Sequence, residues 1–196
     1  MQHITFANEY YEAQANQLSL SAKQFGIDTK IYNQTDITEL IEQFSWVNKS
    51  VRGFGYWLWK PYIILDALTK LNFGETLLYT DAGVLIVNDP NCLNVCLKFS
   101  DIVYFSLYGI DENDWSKDVL IKYIGIEPDF GETWQRSASY IVIKKTQRST
   151  AFCEEWLQLC KKKYLIDNTN LSTHKNFQFH RNDQSIFSVL SKVYKF

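Results

Sequence analysis

The chain reads as an α/β protein, a mainly parallel sheet flanked by helices in a single domain, and three observations carry that reading. Short β-prone runs alternate with helical stretches from the first residues onward, the pattern that builds parallel sheets with helices on their faces. The run Thr76-Leu77-Leu78-Tyr79-Thr80 is too apolar for a half-exposed strand and predicts a buried one. A length of 196 residues, 46% apolar and 16% aromatic, favours one domain with a substantial core, spanning 1-196.

The elements follow in order. Ile4-Thr5-Phe6-Ala7 is short, apolar and β-prone, and a helical stretch from Tyr11 to Phe25 is closed by Gly26. Lys30-Ile31-Tyr32 gives a second strand, and Asp36 is placed to cap a helix over Ile37 to Phe44. Gly53 and Gly55 allow close backbone approach, while Tyr56, Trp57 and Trp59 supply large amphipathic faces, so this loop suits a flat ligand. Pro61 fits a first helical turn, Ile64, Leu65, Leu68 and Leu71 recur at helical spacing, and Asn72-Phe73-Gly74 stops that helix.

Asp81 then stands at the carboxyl end of the buried strand, where open α/β sheets gather ligands. A turn residue capping Gly83 is the plainer account of it. Ser100 to Leu107 and Ser139 to Ile143 predict two more strands. Between them, the irregular stretch Gly109 to Arg136 carries Trp115 and Trp134 and a short helix from Lys117 to Ile124, the kind of insertion that shapes a substrate pocket. Ser149 or Thr150 is placed to cap a helix with Phe152, Trp156, Leu159 and Cys160 facing the core, and Asp167 to Phe177 predicts a loop. His180 to Ser185 opens a last helix with an apolar stripe of Ile186, Val189, Leu190 and Val193, leaving Asp183 and Gln184 in its first turn.

Twenty basic residues against 22 acidic ones give no footprint for a nucleic-acid partner. No apolar run approaches a transmembrane segment and Met1-Gln2-His3 lacks the start of a signal peptide, which points to a cytoplasmic protein. Lys161-Lys162-Lys163 fits a solvated helix end and leaves peripheral association with the inner face of a membrane open. Cys92, Cys96, Cys153 and Cys160 lack metal-binding spacing and are expected as small buried hydrophobes.

Five blocks together resemble a bacterial family similar to GT-A nucleotide-diphospho-sugar glycosyltransferases. They are Arg52 to Pro61, Tyr79-Thr80-Asp81-Ala82-Gly83, Trp115-Ser116-Lys117-Asp118, Gln135-Arg136-Ser137-Ala138 and His180 to Ser185, in order over about 130 residues. The resemblance implies a GT-A-like, Rossmann-like sheet and transfer of a sugar from a nucleotide-diphosphate donor to a glycan or polysaccharide-precursor acceptor. It implies donor binding by Asn8, Tyr10, Arg52, Trp59, Lys60, Asp81 and Arg136, and acceptor binding by Trp115 and Trp57.

The same resemblance implies a divalent cation, Mn²⁺ or Mg²⁺, on Asp81. Gly83 stands where a second acid would be, so His180 or Asp183 would complete the site. The alternative is metal-independent neutralisation of the diphosphate by Lys60, Arg52 or Arg136. Asp118 and Asp183 are the candidate bases, with Gln184 beside them. Related chains tend to continue further than the 11 residues that follow Ser185 here, and the resemblance then implies an acceptor site of which part is absent, supplied by a partner subunit or cut away. Two other readings compete: a non-catalytic carbohydrate or nucleotide-sugar binding module, and a metal-dependent phosphohydrolase using Asp81 and His180.

Overall fold

The structure, a computed structural model, describes residues 1–125, 133–169 and 172–196. The expected insertion over 109–136 and loop over 167–177 lie partly outside the described residues. Among those described, five strands form the main sheet in the order β2-β1-β3-β7-β4. They are β1 (Gln2–Phe6), β2 (Thr29–Tyr32), β3 (Thr76–Thr80), β4 (Ile102–Val103) and β7 (Tyr140–Lys144). β1 pairs in parallel with β2 and β3, whereas β7 runs antiparallel to both β3 and β4, so four strands share one direction.

Alternation along the strands loads both faces of this sheet. Leu77, Tyr79, Ile141 and Ile143 face a core built with α4 (Trp59–Lys70), α7 (Gln147–Cys160) and α9 (Asp183–Val193). Leu78 and Val142 point the other way, against Leu18 and Ala22 of α1 (Glu12–Lys23) and Leu97 of a 3-10 segment, Pro90–Lys98. Both faces are therefore covered, as the apolar β3 run requires. On the α1 side, buried His3 is hydrogen-bonded to Thr29 Oγ1 (2.8 Å) and Thr80 Oγ1 (3.0 Å). Burial lowers its pKa to about 4, so it joins the strands as a neutral imidazole.

Several sequence expectations shift. The single strand over 100–107 divides into β4 and β5 (Ser106–Asp111), which pairs with β6 (Trp134–Arg136) in a separate two-stranded sheet. The chain leaves the main sheet where Tyr104 turns edge-on to Phe187 (5.9 Å) and donates its hydroxyl to Phe196 O (2.6 Å). Asn33, not Asp36, caps the turn before α2 (Thr38–Gln43), with Asp36 closing the capping box on the Asn33 N–H. Thr146 caps α7, and Ser149 is its reciprocal partner. Cys92 and Cys96 are exposed, whereas Cys153 and Cys160 are buried as expected.

The aromatic loop takes a form that propensity does not anticipate. Five consecutive residues, Gly53 to Trp57, have positive φ (61, 55, 92, 54 and 62°). The span α3 (Gly53–Tyr56) is thus a left-handed turn, closed by Tyr56 N to Arg52 O (2.7 Å) and Trp57 N to Gly53 O (3.2 Å). Such a conformation costs about 1–2 kcal/mol at each residue with a side chain, so Phe54, Tyr56 and Trp57 are strained. The two glycines make the turn feasible. A Cβ on Gly53 would meet the Trp57 ring at 2.3 Å, and one on Gly55 would meet the Val47 backbone at 2.8 Å.

This geometry separates two otherwise similar substitutions. Gly74 also has positive φ (87°), but an added Cβ meets nothing within 4 Å. Gly74→Ala should cost about 1–2 kcal/mol, and Gly55→Ala about 1–3 kcal/mol more through overpacking. Urea unfolding of both variants measures the difference; equal losses would mean that the turn does not pack on Val47 as described.

Candidate active site at the carboxyl end of the sheet

The parallel strands β1 and β3 end side by side, so Asn8, just beyond β1, and Asp81, just beyond β3, share one edge of the sheet. The left-handed turn and the start of α4 form the opposite wall. Between them lies a cavity of about 640 Å³ lined by Phe6, Asn8, Tyr10, Arg52, Trp59 and Asp81, among others. Trp59 is fixed in that wall: its ring stacks on Phe6 (4.1 Å between centroids) and its Nε1 donates to Gly53 O (2.9 Å). Tyr10 and Tyr11 are exposed at the mouth rather than packed inward. A second cavity of about 290 Å³ shares Arg52, Trp57 and Asp81 with the first and adds Lys60, Phe179, Arg181, Asp183 and Gln184.

A buried ion-pair triad joins the elements at this edge. Lys60, in the first turn of α4, places Nζ 3.2 Å from Asp81 Oδ1 and 3.0 Å from Asp183 Oδ2. Lys60 and Asp183 are each 4% exposed at the side chain, against 36% for Asp81. Burial disfavours the Lys60 ammonium, but the charges of Asp183 and Asp81 outweigh it and its pKa lies above the usual lysine value. Burial also pushes the Asp183 carboxyl up to about 6, against the pull of Lys60. Tyr79 donates its hydroxyl to Asp81 Oδ1 (2.6 Å); burial and the Asp81 charge keep that phenol protonated.

Gln184 reaches the same cavity under tight control. Its Oε1 accepts from Ala138 N (3.3 Å), and its Nε2 donates to Gln135 Oε1 (3.0 Å). Gln135 is fully buried and donates onward to Glu112 (3.1 Å), whose other oxygen holds Lys192 (2.5 Å). This polar chain sets the amide from inside the fold. The sequence marks Gln135 within a motif block but assigns neither it nor Glu112 a role, since their partners lie on distant elements.

Arg181 and Phe179 also belong to the cavity, although neither stands among the expected site residues. The Arg52 guanidinium lies over Trp57 (5.7 Å) and Phe179 (5.2 Å), and that of Arg181 over Trp115 (4.4 Å). A cation repeatedly adjoining aromatic residues within one motif is the signal that could have found them.

Four expected residues are placed differently. His180 is fully buried: its Nε2 donates to Leu165 O (2.8 Å) and its Nδ1 accepts from Lys117 N (3.4 Å). Burial and the nearby Lys117 charge lower its pKa to about 3, so it is neutral, and the bond to Lys117 N takes the lone pair that a metal would need. Its pairing with Asp81 does not form. Asp118 lies outside both cavities, accepting from Ser172 Oγ and from Thr173 N (3.1 Å) and Oγ1 (2.9 Å). Those hydrogen bonds overcome partial burial and hold its pKa below the usual carboxylate range, the opposite of what a base requires. Arg136 points to a separate cavity, its guanidinium over Tyr104 (4.6 Å) and its Nη1 donating to Ser191 Oγ (3.0 Å). Trp115 stands behind the wall, covered by Arg181 and by Phe179 (4.8 Å).

The donor set does not fit a divalent metal. Both cleft carboxylates already share an internal ammonium, and no group of three or more His, Cys, Asp or Glu side chains arranged for a metal occurs among the described residues.

Comparison with known proteins places the fold. The chain is similar to mouse xyloside xylosyltransferase 1 in its apo form, with a TM-score of 0.50 at 8% identity over 100% of this chain and 83% of that one. It is also similar to an active-site mutant of LgtC (TM-score 0.47, 14% identity, 97% of this chain and 70% of that one). A further match is the galactosyltransferase LgtC in complex with donor and acceptor sugar analogues (TM-score 0.40, 13% identity, 97% and 70%). No protein-family model and no curated protein matches the chain by sequence. The fold is that of the GT-A glycosyltransferases, as the motif blocks imply.

Removing Lys60 would leave two neighbouring carboxylates, one of them deeply buried. Lys60→Met should cost about 3–5 kcal/mol in unfolding free energy, and Asp183→Asn added to it should recover part of that loss. The deficit should grow as pH rises above about 6, where wild-type Asp183 ionises against Lys60, because the folded variant, without that ammonium, holds the Asp183 proton to higher pH and loses stability over a range where the wild type no longer does. Chemical denaturation at pH 5 and pH 8 reads this, and a deficit independent of pH would contradict the triad.

Proposed function

We propose that the chain, as one GT-A-like domain over 1-196, is a glycosyltransferase that moves a sugar from a nucleotide-diphosphate donor to a glycan or polysaccharide-precursor acceptor. The observation that carries this reading is the pair of joined cavities at the carboxyl ends of β1 and β3, meeting at Arg52, Trp57 and Asp81. At about 640 Å³ the larger has the size and mixed aromatic and polar lining of a small-ligand site. Asn8, Tyr10 and Trp59 serve the nucleoside in this reading, and Arg52 with the Lys60 triad serves the charged end of the donor. The smaller cavity takes the transferred sugar and the acceptor hydroxyl, with Trp57 and Gln184 as contacts. No helix among the described residues is long and apolar enough to cross a membrane. A cytoplasmic setting, where the exposed Cys92 and Cys96 stay reduced, belongs to the same reading.

Transfer requires stabilising negative charge on the departing nucleoside diphosphate and removing a proton from the acceptor. Arg52 and Lys60 supply positive charge to the first task. Asp183 suits the second: it lines the smaller cavity, and a carboxyl with a pKa of about 6 is ionised at neutral pH yet more basic than an ordinary aspartate. Asp81 holds Lys60 at the join between the cavities.

The assay offers a panel of sugar nucleotides with glycan acceptors and follows release of nucleoside diphosphate. Release should fall about 10²–10⁴-fold in Asp183→Asn and stay unchanged in Asp118→Asn. In the wild type it should decline as pH drops through about 6, because the base must be ionised to accept the proton. Equal losses in both variants would remove Asp183 from the role, and nucleotide binding without any release would mark a binding module instead.

A further inference from the structure

We propose that this site neutralises the donor diphosphate with side-chain cations, Lys60, Arg52 and Arg181, and needs no divalent metal. The proposal rests on the donor-site reading above and adds the means by which phosphate charge is held. A metal at this edge would have to bridge Asp81, at the end of β3, and Asp183, at the start of α9. That place is already taken by the Lys60 ammonium, 3.2 and 3.0 Å from the two acids. A divalent cation drawing on both carboxylates would have to displace that buried, doubly paired ammonium, and one that left it in place would keep only the outer oxygen of the half-exposed Asp81 as a protein ligand, too little for a metal site. The Lys60 ammonium carries three N–H groups, and among the described residues its only charged partners are the two acids. Lys60 itself lines the smaller cavity.

The two arginines complete the argument. Both line that cavity, and among the described residues neither has a carboxylate partner. Their guanidinium groups rest on aromatic faces, Arg52 on Trp57 and Phe179, Arg181 on Trp115. Stacking fixes the plane of a guanidinium while leaving its N–H edges available for the bidentate bonds that phosphate oxygens accept. The lining of the smaller cavity therefore carries three cations against two acids, and both acids pair with the same cation, Lys60. Arg52 also lines the larger cavity, so a diphosphate running from one to the other would pass along this row.

Isothermal titration of the full chain with uridine and guanosine diphosphates, in EDTA and again in Mn²⁺, tests the proposal, with the matching nucleosides as controls. The expected result is diphosphate binding of equal strength in both buffers. It should weaken on the order of tenfold or more in Arg181→Met and in Arg52→Gln, with nucleoside binding unchanged. Arg52 is exposed, so Arg52→Gln reports on the phosphate contact even if Arg181→Met disturbs the Trp115 stack. Binding that appears only with Mn²⁺ would overturn the proposal while leaving the donor-site reading intact. Variants that bind like the wild type would overturn the cation row. Failure of every nucleotide in both buffers, in protein shown folded by circular dichroism, would overturn the donor-site reading and this proposal with it.

Discussion

One lysine ties this protein's sheet edge together. Lys60 leaves the first turn of α4, crosses the end of β3 and meets the start of α9, so three elements far apart in sequence are held by a single buried charge. A buried ion pair is weak evidence of added stability, since desolvation offsets much of the attraction. Its effect is positional. With both acids committed to the same ammonium, α4 and α9 cannot slide relative to β3 without stranding a charge in the interior. The two cavities open where these elements meet, so their shape depends on that constraint.

The left-handed turn over 53–57 is the second determinant. Backbone strain persists only where the surroundings over-determine it, and here the surroundings are specific. Gly55 sits against the Val47 backbone, the Trp57 ring folds over Gly53, and Trp59 is pinned between Phe6 and Gly53 O. The result is a rigid aromatic wall with Arg52 at its edge, facing the strand ends across the larger cavity. Local strain and long-range packing thereby serve one surface.

Behind the cavity, two buried polar clusters position α9. Glu112, Gln135 and Lys192 hold its inner face and set the Gln184 amide. Lys117 donates to Asp167 and Thr169, and its backbone N–H bonds His180, which in turn bonds Leu165 O. His180 is therefore a strut beneath the entry to α9 rather than a ligand at its surface. Asn182, with φ 51° and ψ −121°, turns the chain sharply between the strut and Asp183. That turn explains how two residues only three apart in sequence face opposite ways, one into the core and one into the cleft.

Periodicity alone was enough to identify most of the framework. The apolar run at 76–80, the helical spacing after Pro61 and the stop at Gly26 report on burial and backbone freedom, which are local properties. Asp81 stands out at the end of an apolar strand, and Asp183 and Gln184 in the first turn of a helix, whereas Lys60 entered only through the resemblance of the motif blocks. Their partnership was not visible, nor were the inward turn of His180, the diversion of Arg136 to another cavity, or the use of Asp118 to hold residues 172 and 173. The reversed direction of β7 was equally hidden, because an isolated strand sequence carries no sign of which way its neighbour runs. Local pattern fixes what each residue would bury or expose; which carboxylate meets which cation follows from long-range packing, where desolvation leaves a buried charge only the partners that the folded backbone brings within about 3 Å.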